Sequence, residues 1–278
     1  MTVINTNTGS LYAQQAMTQN ARGLSTVMQQ LSTGKRINNA VDDVAGMAIS
    51  TRLTSQIRGL NQAVRNTNDG ISLIQTAEGA TEQVTNMLQR MRELAVQASN
   101  DTNNSNDRSY LNLEFQALHA QIDNIANYTQ WNGADVLNQK GGASGVFSFQ
   151  VGANANQTIA ITFSNMTTTG TGALSGISGQ AITTTASSGS ALSAIITALD
   201  TVSLERSNMG AVISRLQFTS DNLANVSAKA QESRSRIEDT DYSQATTELA
   251  KRNIIQQAAQ AMLAQANQAP QSVLQLLR

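Results

Sequence analysis

Leu53-Thr54-Ser55-Gln56-Ile57-Arg58-Gly59-Leu60-Asn61-Gln62-Ala63-Val64 opens a run in which apolar residues return at alternating four- and three-residue steps. The beat passes through Leu53, Ile57, Leu60, Val64, Thr67, Ile71 and Ile74. It resumes through Ala77, Thr81, Val84, Leu88, Met91, Ala95 and Ala98. Steps averaging half a heptad keep one stripe on one side of an α-helix, the pattern of a coiled-coil seam. The repeated three-residue step into Ala77 marks one phase slip. The spacing predicts a helix from about residue 43 to 100, roughly 85 Å long at ~1.5 Å per residue. Asp42 and Asp43 stand at its start, where carboxylates accept from unpaired N–H groups and complement the helix dipole.

Outward from this rod the same pattern recurs. After Ser105-Asn106-Asp107, a second helix carries Leu111, Phe115, Leu118, Ile122 and Ile125 on one stripe, and Trp131-Asn132-Gly133 supplies a turn signal that ends it. From about residue 193 the chain is helical again, with Met209, Val212, Leu216, Leu223, Val226, Ala230 and Ile237 on the beat and Thr219 and Ser233 filling its gaps. Three amphipathic helices with matching stripes should bundle, because none buries its seam alone. The predicted class is mainly α: a long antiparallel helical bundle or coiled coil with paired N- and C-terminal helices.

Between the helical halves, residues 139–192 differ in texture. Val146-Phe147-Ser148-Phe149-Gln150-Val151 and Thr158-Ile159-Ala160-Ile161-Thr162-Phe163 alternate apolar and polar side chains around the loop 152–157, which predicts a small β-hairpin. Beyond Ser164 the chain is rich in Thr, Ser and Gly and should form an exposed loop or thin sheet with little core.

The two ends carry apolar surface without an evident partner. Residues 11–31 hold a narrow stripe of Leu11, Met17, Leu24, Val27 and Leu31. Residues 254–266 hold a broad one, with Ile254, Ile255, Ala258, Ala259, Met262, Leu263 and Ala266. Past the single proline, Pro270, come Val273, Leu274, Leu276 and Leu277. One thin helix cannot cover so wide a face, so association with other copies or another protein is expected. Candidate polymerisation residues are Leu24, Leu31, Ile254, Ile255, Ala259, Met262, Leu263, Leu274 and Leu277.

Composition narrows the function classes. Charged residues make up 13% of the 278 and aromatics 4%, and the charged share is about half the usual ~25%. Small side chains suit long helices packed side by side better than a deep globular core. A net charge of −1, with no basic block beyond Lys35-Arg36, leaves no electrostatic footprint for nucleic acid or an anionic membrane. No apolar run approaches the ~20 residues that span a bilayer. Cysteine is absent, so there is no disulfide framework. The first residues, Met1-Thr2-Val3-Ile4-Asn5-Thr6, lack the basic and apolar regions of a signal peptide, so export would use another route. The lone histidine, His119, excludes an H-E-x-x-H zinc site and is expected to be a solvated helix residue. Asp239 and Asp241 around Thr240 fit a turn that breaks a helix, since no calcium-loop pattern surrounds them. Neither a catalytic nor a metal site is expected, and no cofactor.

Several separated motifs resemble one family. Leu31-Ser32-Thr33-Gly34-Lys35-Arg36-Ile37-Asn38, followed by Asp42-Asp43-Val44-Ala45-Gly46-Met47-Ala48-Ile49, resembles the N-terminal signature of bacterial flagellins. Ser235-Arg236-Ile237-Glu238-Asp239-Thr240-Asp241-Tyr242 and the ending from Leu263 to Arg278 resemble the C-terminal signatures. Gln89-Arg90-Met91-Arg92-Glu93-Leu94-Ala95-Val96-Gln97 resembles the segment read by the vertebrate Toll-like flagellin receptor. The resemblance implies a non-enzymatic, secreted subunit of the flagellar filament, exported through the flagellar secretion channel, in a short form without large outer domains. It implies an inner-tube domain of residues 1–42 with 238–278 and an outer-tube bundle of residues 43–237. Implied partners are further copies of the chain, the flagellar cap and hook-junction proteins, an export chaperone, and the Toll-like receptor through Gln89, Arg90, Glu93, Leu94 and Glu114.

Arg90, Glu93, Leu94 and Gln97 fall at three- and four-residue steps and so should share an exposed helix face, offset from the seam at Leu88, Met91 and Ala95. An ordinary solvated Arg90–Glu93 ion pair is the bland alternative. A flagellin-like hook–filament junction protein is the nearest rival function. A middle-segment metallopeptidase is excluded by the single histidine, and a secreted coiled-coil adhesin or effector would not form filaments.

Overall fold

The chain is described by a computed structural model covering residues 6–276, with side-chain surroundings through residue 268. Five helices dominate: α1 (Thr8–Thr33), α2 (Val44–Ala98), α3 (Ser105–Tyr128), α4 (Thr185–Glu238) and α5 (Tyr242–Leu276). Four short strands lie between α3 and α4: β1 (Gln130–Trp131), β2 (Ala134–Asp135), β3 (Val146–Gln150) and β4 (Thr158–Thr162). The backbone divides into two compact units, Met1–Ile57 with Ala228–Arg278, and Arg58–Ser227.

In the first unit α1 and α5 run antiparallel. Asn7 Nδ2 donates to the Ala266 carbonyl (2.7 Å), Asn20 Nδ2 to the Arg252 carbonyl (2.9 Å), and Tyr242 Oη to the Leu31 carbonyl (3.2 Å). Asn20 is buried, at the place in the Met17–Leu24–Val27 stripe where an apolar residue would continue the seam. An amide there satisfies a backbone carbonyl in only one alignment, so it sets register at some cost in stability. Asn7 also caps α1 by accepting from the Ser10 amide. α1 stops at Gly34, whose φ of 71° closes the last turn in the left-handed region that a Cβ disfavours.

The second unit holds the larger core. The predicted seam is its axis: Ile74, Ala77, Thr81, Val84, Leu88, Met91, Ala95 and Ala98 of α2 are all buried, facing Phe115 and Ile122 of α3 and Met209 and Leu216 of α4. Asp43 caps α2 by accepting from the Gly46 amide (2.8 Å), whereas Asp42 accepts from the amides of Asn38 and Asn39 in the preceding turn. α3 opens on a reciprocal capping box between Asn104 and Asp107. It ends at Tyr128, and Asn132-Gly133 forms the two-residue turn between β1 and β2. The predicted hairpin is present as β3 paired antiparallel with β4, Val146 opposite Thr162 and Gln150 opposite Thr158. It lies against α2 at Gly70, where a Cβ would stand 3.0 Å from the Phe149 ring, and Asn66 Nδ2 donates to the Gln150 carbonyl. A side chain at this position would press on the ring, which would have to give by a few tenths of an ångström.

Three expectations are corrected. The Thr/Ser/Gly-rich part of segment 139–192 is not an exposed loop. Met166, Thr168, Leu174, Ile177 and Ile182 are buried, and the backbone is tied down by helix side chains. Asp123 on α3 accepts from Thr168 N and Oγ1 (2.7 and 2.6 Å), Asn112 accepts from Ile182 N (3.0 Å), and Glu205 on α4 accepts from Ser164 N and Oγ (3.1 and 2.8 Å). A few apolar residues spaced through a polar tract suffice once bound carboxylates satisfy its amides. Second, α4 begins at Thr185, about eight residues before the predicted start, because Thr184 and Ser187 exchange side-chain–backbone bonds that start a helix. Third, His119 is half-buried rather than solvated, and its Nε2 has no hydrogen-bond partner.

Candidate assembly surface

Pairing α1 with α5 consumes little apolar surface. Val27 and Ala245 are buried between them, and Leu24, Leu31, Ala259 and Leu263 are half-covered. Ile254 remains 67% exposed, Ile255 42% and Met262 64%, and Leu11, Tyr12 and Met28 of α1 are exposed as well. Of the candidate polymerisation residues, Leu277 lies outside the described residues, and Leu274 falls in α5 beyond the described side chains. Charge is nearly absent from this pair. Arg22 is the one charged residue of α1, and from Asn253 to Leu276 α5 has none. A helix face that is apolar, uncharged and uncovered is a candidate for contact with another surface.

Sequence reasoning missed the clasp that joins this pair to the neighbouring helix ends. Glu238, at the end of α4, accepts from Lys35 Nζ (2.5 Å) and from Ser50 Oγ on α2, with Arg234 Nε at 4.0 Å. Backbone bonds reinforce it. Arg36 N donates to the Glu238 carbonyl (2.6 Å), Thr240 N to the Gly34 carbonyl (3.0 Å), and the Arg36 guanidinium to the Ile237 carbonyl (2.7 Å). The Lys35 ammonium first, and then the Ser50 hydroxyl, hold the Glu238 carboxyl below the usual glutamate range against the opposing effect of burial. The turn inferred at Asp239–Asp241 is present. Ser235 Oγ donates to Asp239, and Asp241 caps α5 by accepting from the Ser243 and Gln244 amides. No group of His, Cys, Asp or Glu suited to a metal occurs among the described residues.

The candidate receptor segment lies elsewhere, on α2 and α3. The Arg90 guanidinium bridges two carboxylates, its Nε 2.9 Å from Glu114 Oε1 and its Nη1 3.0 Å from Glu93 Oε2. These bonds, Glu114 first, raise the Arg90 pKa further above its ordinary range. Gln89, Arg90, Glu93 and Gln97 are at the surface, but Leu94 is not: it is 1% exposed and belongs to the core. The expectation of an exposed leucine on the Arg90 face is therefore corrected. α2 is covered over an arc wide enough to take in both 94 and 95, because α2 packs against more than one neighbour in this unit.

Residues 4–141 match the family described as "Bacterial flagellin N-terminal helical region", and residues 192–277 match "Bacterial flagellin C-terminal helical region". The chain is 46% identical to the flagellin of Halalkalibacterium halodurans over 277 residues, spanning 99% of this chain and 100% of that one. It is 37% identical over 286 residues to the "Flagellar filament 33 kDa core protein" of Treponema phagedenis, spanning 99% of this chain and 100% of that protein. The crystal structure of Bacillus cereus flagellin is similar with a TM-score of 0.50 and 29% identity, covering 57% of this chain and 88% of that one.

Proposed function

The chain belongs to the bacterial flagellin family, whose members polymerise into the extracellular flagellar filament and are not enzymes, and we propose that its copies join one another through the α1/α5 pair. The observation that carries this reading is the exposed, uncharged face of Ile254, Ile255 and Met262, left bare after α1 and α5 have paired. Helices with so little covered surface are marginal alone and gain their order by being buried in a larger assembly. On this reading residues 1–42 with 238–278 form the inner tube and residues 43–237 the outer tube. The same bare faces are what a flagellar cap, a hook-junction protein or an export chaperone would cover. Deleting residues 243–278 tests it. The truncated chain should stay soluble and largely helical, yet yield no filaments by sedimentation and negative-stain microscopy. Normal filaments from it would overturn the reading.

A second reading concerns host recognition. The exposed bridge of Arg90 with Glu93 and Glu114, beside Gln89, supports a contact surface for the vertebrate Toll-like flagellin receptor. Leu94 would act beneath it as core support. Arg90→Asp, assayed for receptor activation with soluble monomer, should reduce signalling, and undiminished activation would remove the assignment.

A further inference from the structure

The methionines of this chain are sorted by place. Met91, Met166 and Met209 are buried in the bundle core, and Met17, Met47 and Met87 are half-buried. Among the described residues two are exposed, Met28 at 57% and Met262 at 64%, and both lie on the α1/α5 pair. The antiparallel register, with Asn7 beside Ala266 and Asn20 beside Arg252, puts Met262 at the level of the exposed Leu11. Met28 falls near the level of Ala245, at the other end of the pair. Both thioethers are thus exposed on the pair, Met262 in the stretch of α5 without charge and Met28 toward the other end, at the level of the first turns of α5 that also carry Glu248.

A thioether is an apolar, adaptable side chain that oxidises without help from neighbouring groups. Its sulfoxide is polar and chiral and disrupts apolar contacts. We propose that Met28 and Met262 form an oxidation-sensitive site at which a peroxide blocks the free subunit from entering the filament, while subunits already assembled are shielded. The inference rests on the reading that the α1/α5 face is covered by neighbouring copies. In the reaction the sulfur lone pair attacks one peroxide oxygen and the O–O bond breaks. That oxygen stays on sulfur and gives up its own proton, directly or through solvent, to the departing hydroxide, which leaves as water. Sulfur loses two electrons and hydrogen peroxide gains them, so no further reactant is needed. Burying a sulfoxide without a hydrogen-bond donor in place of a methionine should raise the critical concentration for assembly by ~10-fold or more.

Purified monomer is treated with hydrogen peroxide, peptide mapping locates the sulfoxides, and sedimentation gives the critical concentration. Sulfoxide should appear at Met28 and Met262 well before Met91, Met166 and Met209, and assembly should fall in step with it. Enzymatic reduction with the two methionine sulfoxide reductases should restore assembly. In preformed filaments the same two residues should oxidise at least several-fold more slowly. The Met28→Leu/Met262→Leu chain is compared only with itself, and peroxide should leave its critical concentration where it was. The proposal is overturned if doubly oxidised wild-type monomer assembles normally, if reductase treatment restores nothing, or if filament and monomer oxidise at equal rates. Ile255→Asp separates the two levels. Normal assembly of that variant sinks the parent reading, whereas its failure to assemble alongside normal assembly of oxidised wild type sinks this inference alone.

Discussion

Replacing Glu238 by alanine should loosen the clasp at residues 34–43 without unfolding the bundle. The cost can be worked from its partners. Glu238 is 14% exposed, Lys35 53%, and Ser50 is buried. When the carboxylate is removed, the Lys35 ammonium returns to water at little expense, because an ion pair with one exposed partner is worth under ~1 kcal/mol. The Ser50 hydroxyl cannot, and a buried polar group stripped of its partner costs about 1–3 kcal/mol. The expected loss is therefore about 2 kcal/mol, most of it at Ser50. In hydrogen exchange the Arg36 amide, which donates to the Glu238 carbonyl, should exchange ~30-fold faster at neutral pH, since each ~1.4 kcal/mol is a factor of ten. Glu238→Gln keeps an acceptor for Ser50 and should recover most of the protection. The pH dependence has a definite sign. The folded pKa of Glu238 is depressed, so its stabilisation is fully present above the ordinary glutamate range of about 4.3. It is lost as pH falls below that range through the depressed folded value. The difference between wild type and Glu238→Ala should thus be full at pH 7 and shrink in acid. Equal Arg36 protection in the two proteins at pH 7 would refute the reasoning, and so would a Gln variant as impaired as the Ala variant.

Leu94→Ala should destabilise the bundle by ~3 kcal/mol, the usual scale for a leucine cavity, and shift the urea midpoint clearly downward. Arg90→Asp, one helical turn before it at the surface, should leave that midpoint nearly unchanged. Asn20→Ala should cost ~1 kcal/mol through the lost bond to the Arg252 carbonyl, read as lower helicity of the α1/α5 segments by exchange. Asn20→Leu should strengthen pairing yet admit shifted registers, visible as heterogeneous cross-links between α1 and α5. A peptide tag inserted at Gly170–Thr171, where both residues are exposed, should leave the thermal midpoint and filament yield unchanged. The same tag between Leu174 and Ile182 should lower both, because it splits two buried anchors.

The helices and their seams were legible in the sequence because they depend on local periodicity. A stripe that returns every three and four residues must face one way on an α-helix, whatever packs on it, and the buried run from Ile74 to Ala98 follows that rule. The hairpin was legible for the same reason, with a period of two. The uncovered face at Ile254, Ile255 and Met262 could also be inferred, because its width exceeds what a narrow α1 can hide. What only the tertiary structure decided were pairings between distant residues. Leu94 lies one position off the beat, and whether it is surface or core depends on how many neighbours α2 has. Residues 164–182 look soluble by composition, yet Asp123, Asn112 and Glu205 satisfy their amides and draw Leu174, Ile177 and Ile182 inside. Asn20 and Glu238 look like surface residues until the Arg252 carbonyl and the Ser50 hydroxyl arrive from more than 180 residues away. Periodicity fixes which way a side chain points, but a polar group's role is set by the partner it meets, and that partner is chosen by the fold.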